Sequence, residues 1–269
     1  MVLAYILVFI FGCVMGSFLN CVIYRMENKR GFVKGGSSCP KCKHNLAWYD
    51  LIPVVSFLIL KGRCRYCKEK ISIQYLIAEI ATGLLLILNF KFLILNQFLV
   101  FNFKFLITAI YLLAINSLFV LIFVYDLKHF IIPDKFVFTA IGIVFIYQLF
   151  GIWNLEFGNY GILINCILAA LASSAFFFII WLISRGKWMG FGDVKLAFLM
   201  GLFLRWPNIL VAFFLAFILG SIVGLILIAL KKRGMKSEIP FGPFLIAGTF
   251  IALFWGERII NWYLLKLKI

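Results

Sequence analysis

Gly161-Ile-Leu-Ile-Asn-Cys-Ile-Leu-Ala-Ala-Leu-Ala-Ser-Ser-Ala-Phe-Phe-Phe-Ile-Ile-Trp-Leu-Ile183 carries no charge and gives way at once to Ser184-Arg185-Gly186-Lys187-Trp188-Met189-Gly190-Phe191-Gly192-Asp193. A helix rising ~1.5 Å per residue over a run of that length outspans a ~30 Å hydrocarbon core. Comparable runs recur, and the reading is of spans at 3–24, 74–92, 104–125, 135–151, 161–183, 194–206, 208–230 and 243–264. The fold class expected is an all-α integral membrane protein of about eight transmembrane helices. The stretch 194–206 is short for a crossing, since Arg205-Trp206-Pro207-Asn208 interrupts it, and it reads as tilted, kinked or re-entrant. Only 25–73 forms a sizeable non-membrane segment, so the chain divides into a first helix (1–24), a polar loop (25–73) and a membrane domain (74–269).

Composition agrees. The chain is 65% hydrophobic with mean hydropathy +1.09 and 13% charged residues, which excludes an ordinary soluble domain. A net charge of +16 raises the possibility of a nucleic-acid partner. Basic loops on the inner side of a membrane account for it more simply, and no nucleic acid is expected. Residues 2–23 lack a basic flank before them and have Arg25 after them, the reverse of a cleavable signal peptide. They read as a first membrane helix with its N-terminus outside. With that orientation, twenty of the 26 basic residues fall inside. Eleven are in 25–73, two are Lys128 and Lys135, three are Arg185, Lys187 and Lys195, and four are Lys231, Lys232, Arg233 and Lys236. Pairs of spans separate the 25–73 loop, Asp126, Asp193 and the 231–243 loop, which places all four on the cytoplasmic face. Gly12-x-x-x-Gly16 and Gly220-x-x-x-Gly224 would let helices approach closely. No internal repeat is apparent.

Two carboxylates stand at the edges of these runs. Asp126 opens Asp126-Leu-Lys-His-Phe-Ile-Ile-Pro-Asp134, and Asp193 closes Gly190-Phe191-Gly192-Asp193. Acids there are costly and point to function. Two brought together could share one proton, one activating water and the other donating to a scissile carbonyl, as in an aspartic protease. Gly190 and Gly192 would leave room for an extended substrate backbone. The plainer readings are helix caps: Asp193 capping the sixth helix, and Asp134 the fourth. Asp126 ends a span, where a carboxylate opposes the helix dipole, which favours a functional reading. Lys195 either stabilises an anionic state or snorkels, and snorkelling is the simpler account.

Cys39-Pro-Lys-Cys42 and Cys64-Arg-Tyr-Cys67 have the pairing that suits tetrahedral Zn²⁺, a cytoplasmic zinc-knuckle loop, with a redox thiol pair as the alternative. Cys13, Cys21 and Cys166 read as packing residues. With only His44 and His129, no His-Glu-x-x-His metalloprotease is possible, and no Gly-x-Ser-x-Gly elbow occurs. His129 could face Asp126 one turn later, or be an interfacial polar residue. A transporter with membrane-edge carboxylates is an alternative of another class, but it calls for acids arrayed across the bilayer; in the central spans every acid is close to one face except Glu79, and Glu156 is in a loop.

These residues, in order, resemble the bifunctional type IV prepilin peptidases, the Gly-x-Gly-Asp aspartic membrane proteases of bacteria. The resemblance runs from Gly16-Ser17-Phe18-Leu19-Asn20-Cys21-Val22-Ile23-Tyr24-Arg25 through the cysteine pairs, Trp48-Tyr49-Asp50-Leu51-Ile52-Pro53-Val54 and Glu79-x-x-Thr82-Gly83. It continues through Asp126, Ile132-Pro133-Asp134, Gly190-x-Gly192-Asp193-x-Lys195-Leu196 and Ile239-Pro240-Phe241-Gly242-Pro243-Phe244-Leu245. It implies a catalytic pair Asp126 and Asp193, and an inner-membrane enzyme acting at the cytoplasmic face. The implied substrates are type IV prepilins or type II secretion pseudopilins, cleaved after a glycine between a basic leader and a hydrophobic helix. It further implies N-methylation of the new terminus from S-adenosylmethionine, with Gly62 and Arg63 near the cofactor. A single-activity peptidase with a structural zinc loop is the alternative within the family.

Overall fold

The computed structural model describes residues 2–28, 37–95, 103–154, 160–230 and 239–267. Lys29, Arg30, Lys34, Lys231, Lys232, Arg233 and Lys236, on which part of the charge asymmetry rests, lie outside the described residues.

The apolar runs fold as helices: α1 (Val2–Glu27), α2 (Val55–Ile59), α3 (Ile73–Leu95), α4 (Phe103–His129), α5 (Asp134–Asn154), α6 (Tyr160–Ser184), α7 (Phe191–Leu204), α8 (Asn208–Ala229) and α9 (Gly242–Leu267), with one 3₁₀ turn at Trp48–Leu51. Among the described residues there is no named strand, only the isolated bridges Ser38–Asn45 and Arg63–Lys70. Among the described residues six helices (α1, α3, α4, α6, α8 and α9) are long and apolar enough to cross a membrane, so the protein is a multi-pass membrane protein. Large apolar side chains stand exposed on their outer faces, Phe214 and Leu225 on α8 among them, as lipid contact requires. Eight spans are not reached on this measure. The fourth predicted run, which folds as α5, is not among the six, and neither is the sixth, whose α7 has only 14 residues, roughly 21 Å of helix.

What α7 lacks in length it makes up in burial. Asp193, Val194, Leu196, Ala197 and every residue from Leu199 to Leu204 are buried. It packs against α5, α6, α8 and α9, so it is the inner helix of its unit rather than a lipid-facing one. The break after it is the one the sequence marks: Arg205 takes φ 64 as its C-cap, and α8 begins at Asn208.

The chain forms two units, Met1–Leu121 and Ile122–Ile269, with the division inside α4. In the first, α1 packs along α3. Gly12 and Gly16 make this possible: a Cβ on Gly12 would lie 2.7 Å from Gly83 Cα, and one on Gly16 the same distance from Glu79 Cα. Gly220 and Gly224 behave differently. A Cβ at Gly220 would meet Phe244 at 3.5 Å and one at Gly224 would meet Ile239 at 3.9 Å, ordinary contacts. The second unit's close approaches come instead from Gly201 against Ala169 and Ala170 of α6, and from Gly248 against Ala212 of α8. Phe176 and Phe177 of α6 meet Phe213 and Phe217 of α8, and Phe177 and Phe217 both reach Phe241, just ahead of α9.

Candidate active site and metal centre

Asp126 lies three residues from the end of α4, and its carbonyl accepts the Phe130 N–H at 2.8 Å where Phe130 turns the chain with φ 58. A carboxylate at a helix C-terminus is unfavourable. Its position is offset from a second helix: the side chain is hydrogen-bonded by the backbone N–H of Gly242, the first residue of α9. The anion therefore sits at the electropositive end of α9. Gly242 has to be glycine for this, because a Cβ there would run into Asp126 Oδ2.

Asp193 occupies the corresponding place on α7. Gly190, with φ −73 and ψ 149, is the N-cap, so Asp193 is the third residue of the helix and not the cap expected of it. Its carboxylate reaches back to the Gly190 backbone N–H, the return arm of a capping box. The other oxygen, Oδ1, is buried with no hydrogen-bond partner among the described residues. Asp126 and Asp193 are 4% and 8% exposed, and the two carboxyls are within direct electrostatic reach of each other. Ile132 lies between their helices. A Cβ on Gly192 would meet Ile132 Cβ at 2.9 Å, and one on Gly242 would meet Ile132 Cδ1 at 3.2 Å.

Two expectations at the rim are corrected. The first carbonyl of α5 to accept is Pro133's, so Asp134 stands just inside the helix. Its partner is Lys195: Nζ lies 2.6 Å from Asp134 Oδ1, over the rings of Phe138 and Phe191, and does not snorkel alone. His129 stacks on Tyr125, ring centroids 4.5 Å apart. Gly242 and Ile132 were present in the sequence motifs without a role. A glycine between two prolines at a helix start was the available signal for Gly242.

The four predicted metal ligands come together in the first unit. The thiol sulfurs of Cys39, Cys42, Cys64 and Cys67 all lie within 4.8 Å of one another. Sγ of Cys39 is 3.9 Å from Sγ of Cys67, and a zinc tetrahedron with bonds of ~2.3 Å has edges of about 3.8 Å. The two knuckles are local copies despite the absence of a visible repeat. Cys39 N–H donates to His44 C=O and Lys43 N–H to Cys39 C=O; Cys64 N–H donates to Glu69 C=O and Lys68 N–H to Cys64 C=O. Lys43 and Lys68 take φ of 59 and 60. Burial pushes the Cys39 thiol up, but the backbone N–H groups of Cys42 and Lys41 hold it at about 7. At Cys67 the Glu69 backbone pulls down, yet lost hydration and the thiols of Cys64, Cys42 and Cys39 push it up to about 11. Four thiolates can coexist at this spacing only around a cation, so the donor set fits a tetrahedral thiolate-binding metal.

The knuckles are tied to the preceding turn. Arg65 Nε donates to the buried Asp50 carboxylate at 2.8 Å, the Tyr66 hydroxyl donates to it at 3.4 Å, and His44 stacks on Tyr66. Gly62, with φ 66, is backed by the Phe57 ring, and Arg63 beside it is exposed. Cys13 and Cys166 are buried as packing residues should be, whereas Cys21 is half-buried, its sulfur 3.8 Å from the Ser37 hydroxyl.

Comparison with known proteins agrees along the chain. Residues 10–92 match the bacterial peptidase A24 N-terminal domain, and residues 113–225 match the type IV leader peptidase family. A prepilin leader peptidase/N-methyltransferase of Legionella pneumophila is 31% identical, covering 97% of this chain and 94% of its own. Proteins of the same name from Aeromonas salmonicida (30% identical, 96% and 93% covered) and Pseudomonas aeruginosa (28% identical, 94% and 91% covered) are also similar. No solved structure matches. From its first membrane helix to its last, this chain belongs to the type IV leader peptidase family.

Proposed function

We propose that the protein cleaves the leader from type IV prepilins or pseudopilins with Asp126 and Asp193 as its catalytic pair, and methylates the new N-terminus. The observation that carries the proteolytic half is the pairing of two buried carboxyls at the starts of two helices, with one oxygen, Oδ1 of Asp193, left without a partner among the described residues. A buried polar atom with no partner calls for an explanation. Here it is the acceptor for the attacking water or for the shared proton.

Two such carboxyls titrate as a unit, because the second ionises against the charge of the first. One, ionised, takes a proton from water as the water oxygen bonds to the scissile carbonyl carbon. The other, protonated, hydrogen-bonds the carbonyl oxygen and then gives its proton to the departing amine. Backbone N–H groups of Gly190 and Gly242 hold the pair in place, and the glycines leave space for an extended chain. Most basic residues fall where the cytoplasmic loops would be, which supports an inner-membrane protein with its N-terminus outside and this pair at the cytoplasmic face. A prepilin has its basic leader in the cytoplasm and its apolar helix in the bilayer, so its scissile bond would lie at that depth.

The peptidase is assigned within 74–269, and methyl transfer to the 25–73 loop with the relatives' second named activity as support. Zinc on Cys39, Cys42, Cys64 and Cys67 would brace that loop. Gly62, its backbone N–H and C=O held by Phe57 and Ile71, fixes the turn that presents the exposed Arg63, whose guanidinium suits the carboxylate of S-adenosylmethionine, which when bound supplies a methyl group on a cationic sulfur. The test is to give the purified full chain in lipid a prepilin with a basic leader, a glycine and a Phe-led helix, with labelled S-adenosylmethionine. Mass spectrometry should find the leader released and one methyl on the new amine. An intact substrate would refute the peptidase, and a cleaved, unmethylated product the transferase.

A further inference from the structure

Glu79 is an acid buried in a membrane helix and untouched by the chemistry above. It lies in the second turn of α3 and is 8% exposed. A carboxylate at such a place calls for a partner. Its Oε2 accepts the backbone N–H of Val54 at 2.8 Å, and the Ser17 hydroxyl of α1 also hydrogen-bonds it. Gly16 is what brings α1 near enough, since a Cβ there would lie 2.7 Å from Glu79 Cα.

Val54 is itself unusual. Its φ of 62 and ψ of −52 are close to the rare γ-turn with positive φ, and the Val55 N–H closes that turn on Pro53 C=O at 2.6 Å. For a β-branched residue this is a strained conformation, and such conformations persist only where neighbours over-determine them. Glu79 is the neighbour that does so. From the turn, hydrogen bonds run forward without a gap. Val54 C=O accepts Leu58 N–H at 3.0 Å, Ser56 C=O accepts Leu60 N–H at 2.9 Å, and Phe57 C=O accepts Gly62 N–H at 2.9 Å. Phe57 then backs Gly62, where a Cβ would meet its ring at 3.0 Å.

We infer that Glu79 is a positioning residue for methyl transfer: from within α3 it clamps the strained turn at Val54 and thereby fixes Gly62 and Arg63. This rests on the methyl-transfer reading of the 25–73 loop. The clamp needs an acceptor and not a charge, so a glutamine serves where an alanine does not. A residue that carried protons would show the opposite, because the amide cannot be ionised.

The experiment uses the full chain in lipid nanodiscs, as wild type, Glu79→Gln and Glu79→Ala. It measures methylation of a pre-cleaved pilin, cleavage of a prepilin, and hydrogen exchange at the Val54 amide. A misplacement of this kind should lower methylation by Glu79→Ala about tenfold or more, with cleavage within about twofold. Glu79→Gln should keep methylation within about threefold, and the Val54 amide should be protected in wild type and Glu79→Gln but not in Glu79→Ala. Wild-type methylation by Glu79→Ala, or equal loss in both variants, overturns the inference. So does fast exchange at Val54 in the wild type, a reading that decides the matter even where Glu79→Ala does not accumulate. A wild type that cleaves but never methylates overturns the transferase reading and this inference's role for the clamp, while exchange at Val54 still reports whether the clamp exists.

Discussion

The Lys195 ammonium lies 2.6 Å from Asp134 Oδ1, joining the second turn of α7 to the first turn of α5. The starts of these two helices carry the groups around Asp193, with Gly192 on one and the Ile132 that it touches just ahead of the other. The pair also turns the lysine charge toward Asp134, where it is matched. Half-exposed ion pairs contribute little to stability, roughly 0–1 kcal/mol. Lys195→Met and Asp134→Asn should therefore leave folding nearly unchanged and slow prepilin cleavage by about three- to tenfold through a displaced turn. The charge-swapped Asp134→Lys, Lys195→Asp double variant should recover most of the rate. A double variant no faster than either single one would contradict the pairing role.

The glycines of the Gly-x-Gly-Asp segment should not be equivalent. A Cβ at Gly190 meets nothing nearer than 3.9 Å, whereas one at Gly192 falls 2.9 Å from Ile132 Cβ. Gly192→Ala should lower apparent thermal stability by an amount matching about 1–3 kcal/mol, and Gly190→Ala should melt like the wild type. Gly242→Ala, whose methyl would displace the Asp126 carboxylate, should cut cleavage by about 100-fold or more. Melting curves and initial cleavage rates on the same preparations check all three. Equal tolerance of alanine at 190 and 192 would contradict the packing.

Elemental analysis of protein purified without added metal should give one zinc per chain. Cys39→Ser and Cys64→Ser, at the two buried ligands, should each lose it. Metal loss should also open the 37–72 segment to proteolysis, since the backbone hydrogen bonds within each knuckle are short and local and, apart from the Arg65 and Tyr66 bonds to Asp50, the metal is what would join them. Full metal content in both variants would show that the four sulfurs do not bind as a set.

Much of this was legible in the sequence because membrane physics writes in long runs. The helices follow the apolar stretches closely, and the paired cysteines and the Gly12-x-x-x-Gly16 contact follow from spacing alone. What spacing could not convey was which buried atoms are answered by distant backbone. Gly220-x-x-x-Gly224 has the same spacing as its counterpart but faces the bulky Phe244, so no close approach results. Asp193 read as a cap because a polar residue preceded an apolar run; the helix begins earlier, at Phe191, and the carboxylate reaches back instead. Asp126 looked unfavourably placed at the end of α4, and the remedy lies more than a hundred residues on, at the Gly242 N–H. Lys195 and Glu79 found partners at Asp134 and Val54, which no local pattern links to them.

The most direct test of the account is cleavage of a prepilin by wild type, Asp126→Asn and Asp193→Asn in lipid, each variant first shown to keep its metal and its melting temperature. Asparagine preserves the volume and the hydrogen bonds from Gly242 and Gly190 but cannot share a proton. Each substitution alone should abolish cleavage while methylation of pre-cleaved pilin continues. Cleavage at the wild-type rate by either variant would contradict the account.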